Sequence, residues 1–113
     1  MNDLKQGLSF HLKKWHLGRI NAVTVHDLII ELSPIQANDR EIRETIRQLN
    51  LDGVPILTSV HSPYGIYFAS CENEMDEYLA NLGARARAIH ERMGALSKIK
   101  AREFLRGQLR LFE

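Results

Sequence analysis

The sequence predicts a mainly α chain with a small β-hairpin: a compact domain over residues 1–70, followed by a long C-terminal helix. Three observations predict it. Apolar residues recur at spacings of three and four in several separate stretches, the period of an amphipathic helix. Two short β-prone runs flank a segment of turn-forming residues. Beyond residue 71 the three-four spacing continues at the period of a coiled-coil seam.

Taken in order, Leu4, Leu8, Leu12 and Trp15 mark one face of a first helix, with Gly18 as its stop. The run Ala22-Val23-Thr24-Val25 is β-branched and apolar, and reads as a short strand. Thr24 also reads as a helix N-cap, with Asp27 completing a capping box. Val25, Leu28, Ile29 and Leu32 then carry a second helix, which Ser33-Pro34 ends because the residue before proline disfavours helical geometry.

Asn38 and Glu41 form a second capping-box pair and open a third helix. Ile42, Ile46 and Leu49 share its inner face, while Arg40, Arg43, Glu44 and Arg47 share the opposite one. Gly53 stops the helix and Pro55 prevents its continuation. The runs 56–60 and 66–69 read as a hairpin around His61-Ser62-Pro63-Tyr64-Gly65.

Ser70 can cap the last helix, and Glu72, Glu74, Asp76 and Glu77 sit where the helix dipole favours negative charge. Met75, Leu79, Leu82, Ala86, Ile89, Met93 and Leu96 form its seam. A small domain cannot cover so long an apolar stripe, so a second copy of the same helix is the simplest cover, and these seven residues are the expected dimerisation surface. Gly83 offers an alternative, a break that lets the helix fold back. On this reading residues 71–106 are the dimerisation helix and 107–113 a flexible tail.

The order helix, short strand, helix, turn, helix, two-stranded hairpin is the winged helix-turn-helix arrangement. Residues 22–28, residues 38–49, the Gly53-Val54-Pro55-Ile56 stretch and Tyr64-Gly65-Ile66-Tyr67 carry the resemblance. Over roughly residues 8–70 the chain resembles the small winged-helix proteins of phages, prophages and bacterial chromosomes. In such proteins the third helix enters the major groove and the wing touches the backbone or minor groove. The resemblance implies that Gln36, Arg40, Arg43, Glu44, Arg47 and Gln48 face double-stranded DNA, with His61, Ser62 and Tyr64 at the wing tip. Arginine suits this task because its fork holds guanine or phosphate. The alternating Arg and Glu also describe an ordinary solvated face, and winged helices of this kind also bind proteins.

A second resemblance lies in the last residues. Gln108-Leu109-x-Leu111-Phe112 resembles the peptide by which bacterial replication and repair proteins hold the β sliding clamp. It implies that Leu111 and Phe112 fill an apolar pocket, Leu109 adds a smaller contact and Gln108 supplies amide hydrogen bonds. The alternative is that these apolar residues tuck onto the protein's own core.

Charge and composition narrow the function classes. The formal net charge is +1, but it is unevenly spread. Acidic and basic residues balance up to residue 71. Between residues 84 and 110, Arg85, Arg87, Arg92, Lys98, Lys100, Arg102, Arg106 and Arg110 stand against only Glu91 and Glu103. That is a local basic field. The single cysteine, Cys71, excludes an internal disulfide and suits a cytoplasmic protein. No apolar run is long enough for a membrane span, and no signal-peptide core precedes the first helix. His11, His16, His26, His61 and His90 show no metal-ligand spacing, and His11 and His16, five apart, fit one helix face poorly. There is no phosphate loop or nucleophile elbow, so neither enzyme activity, catalytic residue, metal nor cofactor is expected. The expected role is DNA binding in the replication of a phage or mobile element, or in its regulation. The alternatives are a protein adaptor tethered to the clamp and a transcriptional regulator.

Overall fold

The computed structural model describes the backbone of residues 2–111 and the side chains of residues 3–103. Four α-helices and two strands follow the order α1 (Asn2–Trp15), α2 (Val25–Glu31), α3 (Asp39–Leu51), β1 (Ile56–Ser59), β2 (Gly65–Phe68) and α4 (Glu72–Leu111). A 3-10 turn, Arg19–Asn21, lies between α1 and α2. The chain divides into two units, Met1–Tyr78 and Leu79–Glu113.

In the first unit the helix periods place leucine and isoleucine on inward faces. Leu8 and Leu12 of α1, Leu28 of α2, Ile42 of α3 and Ile56 of β1 are fully buried. Val23, Leu32, Ile46, Leu49 and Ile66 complete the cluster, with Leu4, Val25, Ile29, Ile35 and Phe68 packed against it. Burial of each such side chain contributes about 1.5–3 kcal/mol. Trp15 departs from the expected face and is 61% exposed. The helix ends at that residue, and the chain turns through His16 and Leu17 toward β2 before the indole can reach the core.

Both expected helix starts are present, although the capping box expected at Thr24 forms on the Thr24 side only. The Thr24 hydroxyl accepts from the Asp27 N–H at 3.2 Å. At α3 the capping box is complete: Asn38 Oδ1 accepts from the Glu41 N–H at 2.8 Å, and the Glu41 carboxylate accepts from the Asn38 N–H at 3.2 Å. Gly53, at φ 92, carries the chain out of α3 in a conformation that L side chains rarely adopt.

β1 and β2 are antiparallel, in the register Ile56 to Phe68 and Ser59 to Gly65. The expected strand at 22–25 contracts to a single residue. Val23 exchanges two backbone hydrogen bonds with Ile66, at 2.9 and 2.7 Å. The next residue, Thr24, is already the cap of α2, so no room is left for a longer ladder. A second link runs beside it: the Phe68 N–H donates to His16 O and the Gly18 N–H to Phe68 O. Gly65 makes the close approach possible. A Cβ there would stand 2.2 Å from Val23 O, and its φ is 134.

At the start of α4, Ser70 does not act as the N-cap. Its N–H and hydroxyl both donate to Glu74 Oε1, at 2.8 and 2.9 Å. In the second unit α4 continues without a break at Gly83 or Gly94. A glycine costs a helix only about 1 kcal/mol relative to alanine, which a long run of good helix formers outweighs. The backbone remains helical to Leu111, past residue 106 where the sequence reading ends the helix. Among the described residues, no helix is long and apolar enough to cross a membrane.

Candidate functional site

The outward face of α3 is set by its inward one. With Ile42, Ile46 and Leu49 buried, the helical period leaves Arg40, Arg43, Glu44, Arg47 and Gln48 exposed. Arg40, Arg43, Glu44 and Arg47 line one shallow concavity together with Asp39. Gln36, Arg40, Glu44 and Gln48 line another, beside Leu4 and Lys5 of α1. The wing residues His61, Ser62 and Tyr64 are exposed on the β1–β2 loop and line neither concavity. The loop is held locally, where the Ser59 hydroxyl donates to His61 O at 2.6 Å.

The α3 arginines are engaged within their own helix. Arg43 Nε donates to the Asp39 carboxylate one turn earlier. Arg47 donates to Glu44 from Nη2 at 2.7 Å and from Nε at 3.1 Å. The Arg47 hydrogen bond holds the Glu44 carboxyl below its ordinary pKa, and Glu44 in turn raises the Arg47 guanidinium. The face is therefore a chain of alternating charges, not a uniform basic surface. Pairs this exposed contribute little to stability and exchange readily for another anion.

Two further clusters escaped the sequence reading. On α1, Lys14 Nζ lies 5.2 Å from the Trp15 ring and 5.7 Å from the Phe10 ring, and Lys13 Nζ lies 5.9 Å from the Phe68 ring. The spacing of these residues gives a weak signal, since Trp15 read as core. The second cluster joins α1, the residue just beyond it, and α2. His11 Nε2 and His16 Nε2 lie 2.6 and 2.7 Å from the same oxygen, Glu31 Oε1. The rings are 5.4 Å apart. Partial burial works to raise the Glu31 pKa, but the hydrogen bonds and charge of His11 and His16 outweigh it, and the net direction is downward. Helical spacing could not reveal this set. His16 has left the helix, and Glu31 comes from the end of α2.

Comparison of the chain with protein-family models, with curated proteins and with solved structures finds no match.

In the second unit the seam residues Leu79, Leu82, Ile89, Met93 and Leu96 are between 39% and 59% exposed, and Ala86 is exposed too. Met75, on the first unit's part of α4, is half-buried. Of the clamp-like peptide, the side chains of Gln108, Leu109 and Leu111 and the whole of Phe112 lie outside the described residues.

Proposed function

We propose that residues 1–78 form a winged helix-turn-helix that binds double-stranded DNA, with α3 as its recognition helix and the β1–β2 loop as its wing. The observation that carries this reading is topological. Val23 pairs with Ile66, so α2 and α3 are inserted between a one-residue strand and the hairpin, and α3 keeps Arg40, Arg43 and Arg47 on its outer face. A winged helix needs this order and this exposed helix. Phosphate oxygens can replace Asp39 and Glu44 as partners of Arg43 and Arg47. With acidic residues interspersed, one copy binds weakly, and a second copy multiplies the contacts. The exposed seam on α4 supports that second copy, because a helix bearing a regular apolar repeat matches its own duplicate position by position.

Fluorescence anisotropy with mixed-sequence duplexes at low salt tests the reading. The full chain binds, and changing Arg40, Arg43 and Arg47 together to alanine weakens binding and lowers the salt slope by roughly three. Unchanged affinity in that variant removes α3 from the interface. No binding by the full chain overturns the DNA reading and favours a protein adaptor, for which the existing Arg43–Asp39 and Arg47–Glu44 pairs speak.

The scaffold alone serves replication and transcription control equally. The resemblance of residues 108–112 to a clamp-binding peptide supports replication of a phage or mobile element, in the cytoplasm, by a binding protein and not an enzyme. The full chain is expected to be retained on immobilised β clamp, and a chain cut after Gly107 is expected to be lost. Retention of the shortened chain removes the peptide from the proposal.

A further inference from the structure

We propose that His11, His16 and Glu31 form a site for one divalent transition-metal ion of the zinc class, fastening the end of α1 to the end of α2. The three ligand atoms, two ring Nε2 and one carboxylate oxygen, lie within 4.8 Å of one another. They come from α1 one turn before its end, from the first residue beyond it, and from the last residue of α2. The site stands apart from the α3 face, so its fate is independent of the DNA reading.

The orientation of His16 carries the inference furthest. Its Nδ1 lies 2.7 Å from Asn21 O. A carbonyl oxygen only accepts, so Nδ1 bears the proton and donates it there. The same ring places Nε2 2.7 Å from Glu31 Oε1, a spacing that either a ring proton or a metal ion can fill. A metal ion there would take the Nε2 lone pair and the carboxylate oxygen together. A ring fixed through Nδ1 to a backbone carbonyl, with Nε2 free to ligate, is the usual arrangement around a metal-bound histidine.

The donor set points to the ion's class. Two imidazoles and one carboxylate suit zinc and its neighbours, whereas calcium and magnesium demand oxygen ligands. The His11 and His16 side chains are only 18% and 13% exposed, so little water competes at the rings. Glu31, 36% exposed, leaves the site open on its side. Three protein ligands leave a fourth tetrahedral position for water. To seat tetrahedral bonds of ~2.0–2.1 Å, each N···O separation must open by roughly 0.7 Å, a movement within reach of a glutamate at a helix end.

The experiment uses the full chain stripped with a chelator. Zn²⁺ titration followed by calorimetry is expected to show one ion taken up per chain. Co²⁺ is expected to give the ligand-field absorption of a tetrahedral site, which Zn²⁺ abolishes. His16→Ala and Glu31→Gln are each expected to weaken uptake by about 100-fold or more, beyond what changes to supporting residues typically cost. His26→Ala, at an exposed histidine outside the cluster, keeps it. Absence of one-to-one uptake by the unmodified chain overturns the proposal by itself. So does uptake that survives in both His16→Ala and Glu31→Gln, or uptake lost in a folded His26→Ala.

Discussion

Glu74 gathers three donors onto one carboxylate. The Arg19 N–H reaches Oε2 at 2.8 Å, and the Ser70 N–H and hydroxyl reach Oε1. It thereby ties the start of α4 to the turn that follows α1, a link 55 residues long in sequence. Partial burial pushes its pKa up, but the backbone hydrogen bonds from Arg19 and Ser70 pull it further down, and the net shift is downward. The folded chain thus binds this proton less readily than the unfolded chain. The stabilisation is complete above the ordinary glutamate value of 4.5 and fades as pH falls through the lower folded value. Thermal unfolding followed across that range is expected to show a falling Tm in acid, with a smaller fall in Glu74→Gln. Equal slopes for the two proteins would show that Glu74 contributes nothing to the acid sensitivity. Glu74 itself was legible only as one of four acids at a helix N-terminus. Its partners, Arg19 and Ser70, are chosen by tertiary folding, which no local pattern encodes.

At the scale of elements, α2, α3 and the hairpin were legible because each is announced locally. Capping pairs mark where α2 and α3 begin, and Gly53 marks where α3 ends. The ion pairs Asp39–Arg43 and Glu44–Arg47 likewise follow from helical spacing. The histidine cluster followed from nothing local, since Glu31 stands 20 and 15 residues from its two rings. β-propensity extends the strand over 22–25 because it does not register that Thr24 is needed as a cap. α4 makes the clearest demand of a partner. Its leucine, isoleucine and methionine residues between 79 and 99 are all at least 39% exposed, and a second copy of the helix is the proposed cover. Sedimentation at tens of micromolar is expected to show a dimer, and Ile89→Asp, which places a charge in the seam, is expected to give a monomer. A monomeric unmodified chain overturns that pairing.

Over the whole molecule, burial and charge are divided between the units. Every fully buried side chain among the described residues belongs to the first unit, whereas in the second all described residues except Gly83 are exposed. Leucine and isoleucine spacing anticipated the helical part of that core, with Trp15 the exception, but not the buried Val23, Ile56, Leu57, Ile66 and Tyr67 of the strands and bridge. It failed at Trp15 because periodicity describes a helix face and not where the core stops. The position of β2 within the first unit has a consequence for behaviour in concentrated solution. β1 covers one side of β2, while His16, Gly18 and Val23 take up the backbone groups on the other. That strand therefore offers no row of groups on which a neighbouring chain could add. On the far side of β1, the Ile56 N–H donates to Val54 O, and the Asn50 amide, once turned so that its nitrogen faces the strand, donates to Val54 O and Ile56 O at 2.9 and 3.0 Å. The alternation of the ladder leaves Thr58 as the outward-facing position that remains. One residue is too short a template for edge-to-edge growth, so the hairpin is built to resist aggregation while its loop stays open to solvent.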